Sequence, residues 1–377
     1  MNKLRSIFEE VDAKTTAPTT GGIDQRPKGA RTAIRRWLMV LFTLVVLMIA
    51  VGGLTRLTDS GLAITEWKPI TGAVPPLSAE AWQSEFDLYR AIPEYQLQNK
   101  GMSLAEFKVI YWWEWGHRQL GRVIGLVWAV GFFGFLALRQ IPIGWTPRLL
   151  GIGALGGLQG AIGWWMVSSG LTGTMLDVAS YRLAVHLGLA FLILGLIAWY
   201  VFLLGRTERD LMGARRISEP ALVRLTGLVL GLTAVQILLG ALVAGIDAGR
   251  TYGDWPLMAG GLLPPGIFEL TPGWRNFFEN AGLVQFNHRV VGYILGIAGI
   301  FLWLRSRKSP HSSTRFRVNL VLGMMFLQIA LGVMTVLYGA PLSWAIAHQL
   351  GAVILVVLVL GVRFRAAFPV PDKLRKA

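Results

Sequence analysis

The chain has 377 residues, 54% of them hydrophobic and only 15% charged, with a net charge of +15 and no cysteine. A soluble domain of this size cannot bury that much apolar surface, so the composition points to a membrane protein. The missing thiols exclude disulfides, thiolate-bound zinc and iron–sulfur centres. The positive charge argues against nucleic acid once its distribution is read, because it sits in short segments between apolar runs.

Residues 1–33 are polar, with Pro, Gly and Thr, and lack the apolar core of a cleaved signal peptide, so they read as a disordered cytoplasmic tail. Eight apolar stretches of spanning length follow, near 34–54, 118–138, 148–168, 182–204, 221–243, 286–304, 318–338 and 345–363. Of the 36 Lys and Arg, 25 fall in the N-terminal end through Arg36, the segments 139–148, 205–224 and 305–317, and the C-terminal end from Arg363. The positive-inside rule then puts both termini in the cytoplasm, which needs an even number of spans. The expected fold is all-α and polytopic, with eight transmembrane helices.

The chain also repeats itself. Gly52, Asp59, Gly61, Glu66-Trp67 and Gly72 return as Gly240, Asp247, Gly249, Asp254-Trp255 and Gly260. His117-Arg118 returns as His288-Arg289, Leu158-Gln159 with Gly163 as Leu327-Gln328 with Gly332, and His186 as His348. Both copies hold four spans and start from the cytoplasm, so they read as two four-helix bundles related by a pseudo-two-fold axis along the membrane normal. The units are 34–204 and 221–363, joined by a basic cytoplasmic linker at 205–220 and followed by a cytoplasmic tail at 364–377.

The outer segments differ in length. Residues 55–116 carry two short helices, one starting near Ser78 and one at Ser103 with Glu106 as a capping box. Trp112, Trp113 and Trp115 then read as interfacial aromatics. Residues 246–284 are the shorter counterpart, with Pro272 suited to a first helical turn. Asp59 and Asp247 read as turn formers, and Glu66 and Asp254 as loop packing.

Four histidines dominate what remains. His117, His186, His288 and His348 sit early in four spans, at matched places and at one depth near the outer face. A single membrane histidine often only bonds a neighbouring helix, but a duplicated set at one depth suggests two metal or haem sites. One histidine on each of two spans can reach one point in a bundle core, and haem iron takes a ligand above and below. Gly121, Gly125, Gly157, Gly160 and Gly163 leave room for a flat cofactor. Arg118 and Arg289 are candidate propionate partners, or arginines snorkelling to water. His311 has no repeat partner and is assigned nothing.

The copies differ at one telling place, where Glu114 is answered by Gln285. A carboxylate beside one site suggests proton-linked chemistry there, while the amide half need only move electrons. The plain alternative is that Glu114 caps a helix or pairs with Arg118.

At Glu114-x-x-His117-Arg118, Gln285-x-x-His288-Arg289, His186, His348 and the two Asp-x-Gly segments, the chain resembles the haem A synthase family. The resemblance runs from about residue 36 to 365, and is nearest to the proteobacterial and mitochondrial branch, which lacks loop cysteines. It implies oxidation of the C8 methyl group of haem O to a formyl group, giving haem A for terminal oxidases. It implies a haem b held by His288 and His348. The substrate haem iron falls to His117 and His186, with Glu114 assisting as the third catalytic residue. It further implies a bacterial inner membrane, association with the haem O-forming enzyme, and homo-oligomers. Two other readings fit parts of the pattern. A two-haem b-type cytochrome taking electrons from quinol leaves the Glu114/Gln285 difference unused. A transporter relaying protons through histidines lacks paired acidic residues in mid-span.

Overall fold

The computed structural model describes residues 28–370, Thr174 excepted. Among them are twelve α-helices and no strand beyond an isolated bridge between Met258 and Gly261. Eight are long and apolar enough to cross a membrane: α1 (Lys28–Leu57), α4 (Leu104–Ala137), α5 (Thr146–Val167), α6 (Ser180–Leu204), α8 (Pro220–Gly245), α10 (Ala281–Ser306), α11 (Ser312–Leu337) and α12 (Leu342–Ala367). Helices are what such stretches must form, because lipid offers no partner for backbone N–H and C=O groups. All eight expected spans are present. Phe133, Phe301 and Phe326 stay exposed on these helices, on surfaces a bilayer would cover.

The short helices lie between spans: α2 (Ala79–Arg90) and α3 (Pro93–Leu97) before α4, α7 (Glu208–Arg215) between α6 and α8, and α9 (Asn276–Glu279) before α10. Polar side chains start them. Ser78 accepts from Ala81 N–H, Thr207 and Asp210 form a reciprocal box, and Asn280 accepts from Leu283 N–H at the start of α10. The expected box of Ser103 and Glu106 is formed, and each such cap contributes about 1 kcal/mol. Pro272 stands just before a short 3-10 turn that leads into α9, rather than inside a full helical turn.

One helix is longer than the sequence suggested. The helix opened by Ser103 does not stop before the second span but runs into it as α4, so the Trp112–Trp115 stretch is helical. No proline interrupts 104–137, and Gly116 alone does not break a helix. His117 therefore stands well inside a helix.

Packing follows two closed rings. In the first, α1 touches α4 and α6, and α5 touches the same two; in the second, α8 touches α10 and α12, and α11 touches those two. The rings meet through α6 against α8 and α1 and α6 against α12. A shared core includes Leu38, Leu41 and Ile49 of α1, Leu194 and Ile197 of α6, and Val353 and Val356 of α12. The second ring has its own core around Val229, Leu302, Val318 and Val359. A third cluster, with Trp82, Phe86, Tyr89, Tyr95, Phe107 and Tyr111, caps the first ring.

Candidate haem sites

Each candidate histidine lies on one helix and packs against a glycine of the preceding span. A Cβ placed on Gly52 (α1) would stand 3.1 Å from the His117 ring, on Gly163 (α5) 2.9 Å from His186, on Gly240 (α8) 3.0 Å from His288, and on Gly332 (α11) 3.1 Å from His348. The four distances agree within 0.2 Å, so the rings occupy equivalent cradles that a larger residue would fill. All four histidines are partly buried.

In the second ring the His288 and His348 rings face each other, with centroids 6.4 Å apart and planes at 82°. A metal–nitrogen bond is about 2 Å and a ring centre lies about 1 Å behind its nitrogen, so two imidazoles sharing one iron have centroids about 6 Å apart. The pair fits a haem. The Nδ1 atoms of both rings are buried without a partner. In the first ring His117 and His186 rest against Gly52 and Gly163 in the matching cradles. Among the described residues no three His, Asp or Glu come together as a metal site.

Gly125 of α4 and Gly157 and Gly160 of α5 are exposed, with no atom within 4 Å of an added Cβ. Gly121 faces Met48 Cε at 3.5 Å. The first ring therefore has a side wall of bare backbone.

Glu114 and Gln285 are both buried to 2% exposure, yet their contacts are opposite in polarity. Glu114 accepts from Ile64 N–H at 2.7 Å and from Arg118 Nε at 3.0 Å, so the ion pair with Arg118 is formed. Arg118 also donates to Ile64 O at 2.8 Å and Glu66 O at 3.1 Å, which ties the loop after α1 to α4. Gln285 instead donates to Tyr252 O at 3.2 Å, and its oxygen has no partner. Arg289 donates to Leu257 O at 2.9 Å and Tyr252 O at 3.1 Å, while its Nε is buried without an acceptor.

Asp59 and Asp247 end α1 and α8 in the left-handed region, at φ 48° and 50°, as turn formers do. Sequence reasoning missed their shared partner. Arg56 donates to Asp59 at 3.0 Å, to Asp247 at 3.1 Å and to Asp177 at 3.4 Å, so one guanidinium joins the two halves. Glu66 pairs with Lys68 at 2.6 Å, and Asp254 accepts from Ala259 and Gly260 N–H, which is loop packing as expected. Trp67 stacks on Trp164, and Trp255 donates to Tyr293. His311 is buried at the N-terminus of α11, away from the other four.

Three glutamines were also missed as site residues. Gln159, Gln236 and Gln328 donate to the backbone carbonyls of His186, His288 and His348 at 3.0, 3.0 and 3.1 Å. Their signal was present as a spacing: Leu158-Gln159-x-x-x-Gly163, Val235-Gln236-x-x-x-Gly240 and Leu327-Gln328-x-x-x-Gly332, with Leu47-Met48-x-x-x-Gly52 in the fourth place.

The profile of the cytochrome oxidase assembly protein family matches residues 35–360. Similar relatives named "Heme A synthase" come from Dinoroseobacter shibae at 68% identity, with 100% of both chains covered, and Ruegeria pomeroyi at 61%, also with 100% of both. A third, from Paracoccus denitrificans, is 59% identical over 98% of each chain. With its eight spans, its paired histidines and relatives this similar over their whole length, the chain belongs to the haem A synthase family.

Proposed function

We propose that this chain oxidises the C8 methyl group of haem O to a formyl group, giving haem A for terminal oxidases. The N-terminal ring receives haem O through His117 and His186, and the C-terminal ring keeps haem b on His288 and His348. The observation that carries this reading is the facing His288–His348 pair at 6.4 Å, together with a second histidine pair in equivalent glycine cradles. The two rings are read as copies related by a pseudo-two-fold axis along the membrane normal.

Taking a methyl group to a formyl group removes four electrons from the carbon and adds one oxygen. Haem supplies the one-electron chemistry when bound. The protein's share is to hold, orient and separate. The histidines would hold the iron, and the glycines would let the porphyrin approach the backbone. Glu114 gives the substrate half a carboxylate where the electron-transfer half has an amide. Held by Arg118 and Ile64 N–H, that carboxylate anchors the loop over the site. Arg289, with one N–H unused, suits a propionate; Arg118 would add one to a guanidinium already tied to the loop. The exposed Gly125, Gly157 and Gly160 surface supports entry of an isoprenoid-tailed haem sideways from lipid.

The distribution of Lys and Arg supports a bacterial inner-membrane location with both ends in the cytoplasm. The reaction that forms haem O must supply the substrate, and association with that enzyme, or between copies of this chain, belongs to the same reading. The test is haem analysis of cells without and with the chain. Without it haem O accumulates and haem A is missing; restoring it restores haem A, and restoring the His117→Ala form does not. Haem A at normal level in cells without the chain would overturn the assignment.

A further inference from the structure

We propose that Gln159, Gln236 and Gln328 are positioning residues that strengthen His186, His288 and His348 as axial ligands, and that Met48, in the fourth place, leaves His117 as the exchangeable ligand. The inference rests on the reading of the histidine pairs as haem sites and goes beyond it by ranking the four ligands.

Two of the four places, those of Gln236 and Met48, are matched in space as well as in spacing. Gln236 Nε2 lies 3.2 Å from a Cβ placed on Gly292, one turn after His288. Met48 Cε lies 3.5 Å from a Cβ placed on Gly121, one turn after His117. One side chain has replaced the other at the same point between two helices.

The chemistry differs sharply. Each glutamine amide donates to the carbonyl of its histidine, which latches the ligand helix to its neighbour. The same amide reaches the ring: Gln159 Nε2 is 3.2 Å from His186 Nδ1, and Gln236 Nε2 is 3.3 Å from His288 Nε2. All three amide oxygens are buried without a partner, as are Nδ1 of His288 and His348. A histidine that binds metal through one nitrogen carries its proton on the other, and an outer acceptor there fixes the ring and raises its basicity. As placed, however, the glutamines offer the ring their Nε2 atoms and not their oxygens, so the latch on the histidine carbonyl is the contact that positions each ligand. A thioether is a weak acceptor and no donor, so Met48 cannot latch the His117 helix.

This inequality suits the two tasks. A resident haem needs two firm ligands, whereas a site that admits substrate and releases product gains from one that lets go. Met48 and Glu114 are two departures between the copies beside the histidines, and both fall in the first ring.

The test compares the full chain with its Met48→Gln, Gln236→Met and Gln236→Leu forms, purified with bound haem, reduced and titrated with carbon monoxide. Only a ligand that leaves the iron gives way to the gas. In the unaltered chain the first-ring haem binds it and the second-ring haem resists. Met48→Gln should lower that affinity by about 10- to 100-fold, the usual weight of an outer partner on metal ligation. Either Gln236 change should make the second-ring haem reactive and shift its midpoint potential. An unchanged affinity in Met48→Gln, or a second-ring haem that still resists in both Gln236 forms, overturns the proposal. Met48→Gln adds a contact rather than removing one, so it remains readable should the Gln236 forms fold poorly. Failure of the underlying assignment shows separately, as extracts of the same preparations without haem O or haem A. The gas titration then still ranks the ligands of whichever haem each pair holds.

Discussion

Glu114 and Gln285 hold matching turns of α4 and α10 and are equally buried, yet one accepts hydrogen bonds from the outer loop and the other donates one to it. The carboxylate is neutralised by Arg118 and receives Ile64 N–H, so the loop after α1 closes on α4 through charge. The amide makes the analogous closure to Tyr252 O without charge. Glu114→Gln should therefore keep the fold and both haems, because an amide oxygen can still accept from Ile64 N–H, while product formation falls at least tenfold. Glu114→Ala should cost about 3 kcal/mol of stability, since it strands Arg118 in a mostly buried place. Haem content, thermal unfolding and haem A yield of the two variants separate the electrostatic role from the structural one. Normal yield from Glu114→Gln would remove the case for unequal halves.

The histidine pairs should fail independently. His288→Ala or His348→Ala should abolish the low-spin b-type spectrum, and His117→Ala or His186→Ala should leave it intact while stopping turnover. Reduced-minus-oxidised spectra of the four variants check this. Loss of the b-type spectrum in His117→Ala would mean that the pairs do not divide by ring.

Arg56 should matter beyond its own helix. It is the cation shared by Asp59, Asp177 and Asp247, and its removal leaves three carboxylates close together at the junction of the rings. Arg56→Gln should destabilise the protein by on the order of 1–2 kcal/mol, modest because the carboxylates are partly exposed and screened. The loss should shrink in high salt, which thermal unfolding at two ionic strengths will show.

The outer cap carries a pH response. Glu94 of α3 is 3% exposed, and burial, with Asp177, Asp59 and Glu114 nearby, pushes its carboxyl up to about 8. Asn99 bridges it to Tyr89, but one of its oxygens has no partner. Its folded value lies above its unfolded one, so the folded state binds the extra proton, and cap stability falls as pH rises from about 4.5 to 8. Glu94→Gln should flatten this dependence. Hydrogen exchange of residues 92–99 at pH 6 and pH 9, taken relative to the intrinsic base-catalysed rate at each pH, will show lower protection at the higher pH in the unaltered chain only.

Much of this was legible in the sequence because membranes impose simple rules. Apolar runs of spanning length gave all eight spans, and the Ser103–Glu106 spacing gave the start of α4. The repeat drew attention to His117, His186, His288 and His348 together. What stayed hidden depends on contacts between helices. The glutamine latches act across neighbouring spans, where Gln159, Gln236 and Gln328 look like isolated polar residues in apolar runs. Arg56 had no counterpart in the second copy, where Ala244 stands, so the repeat that exposed the histidines concealed the cation joining the halves. The merger of the Trp-rich stretch into α4 was missed because spans were bounded by hydropathy, which does not register a helix continuing into water.

The most direct measurement is extraction and identification of the haems in the purified chain and in two variants. The account predicts haem B together with haem O or haem A in the unaltered chain, loss of haem O and haem A alone in His117→Ala, and loss of haem B alone in His288→Ala. Two haem B per chain, with neither haem O nor haem A, would contradict it.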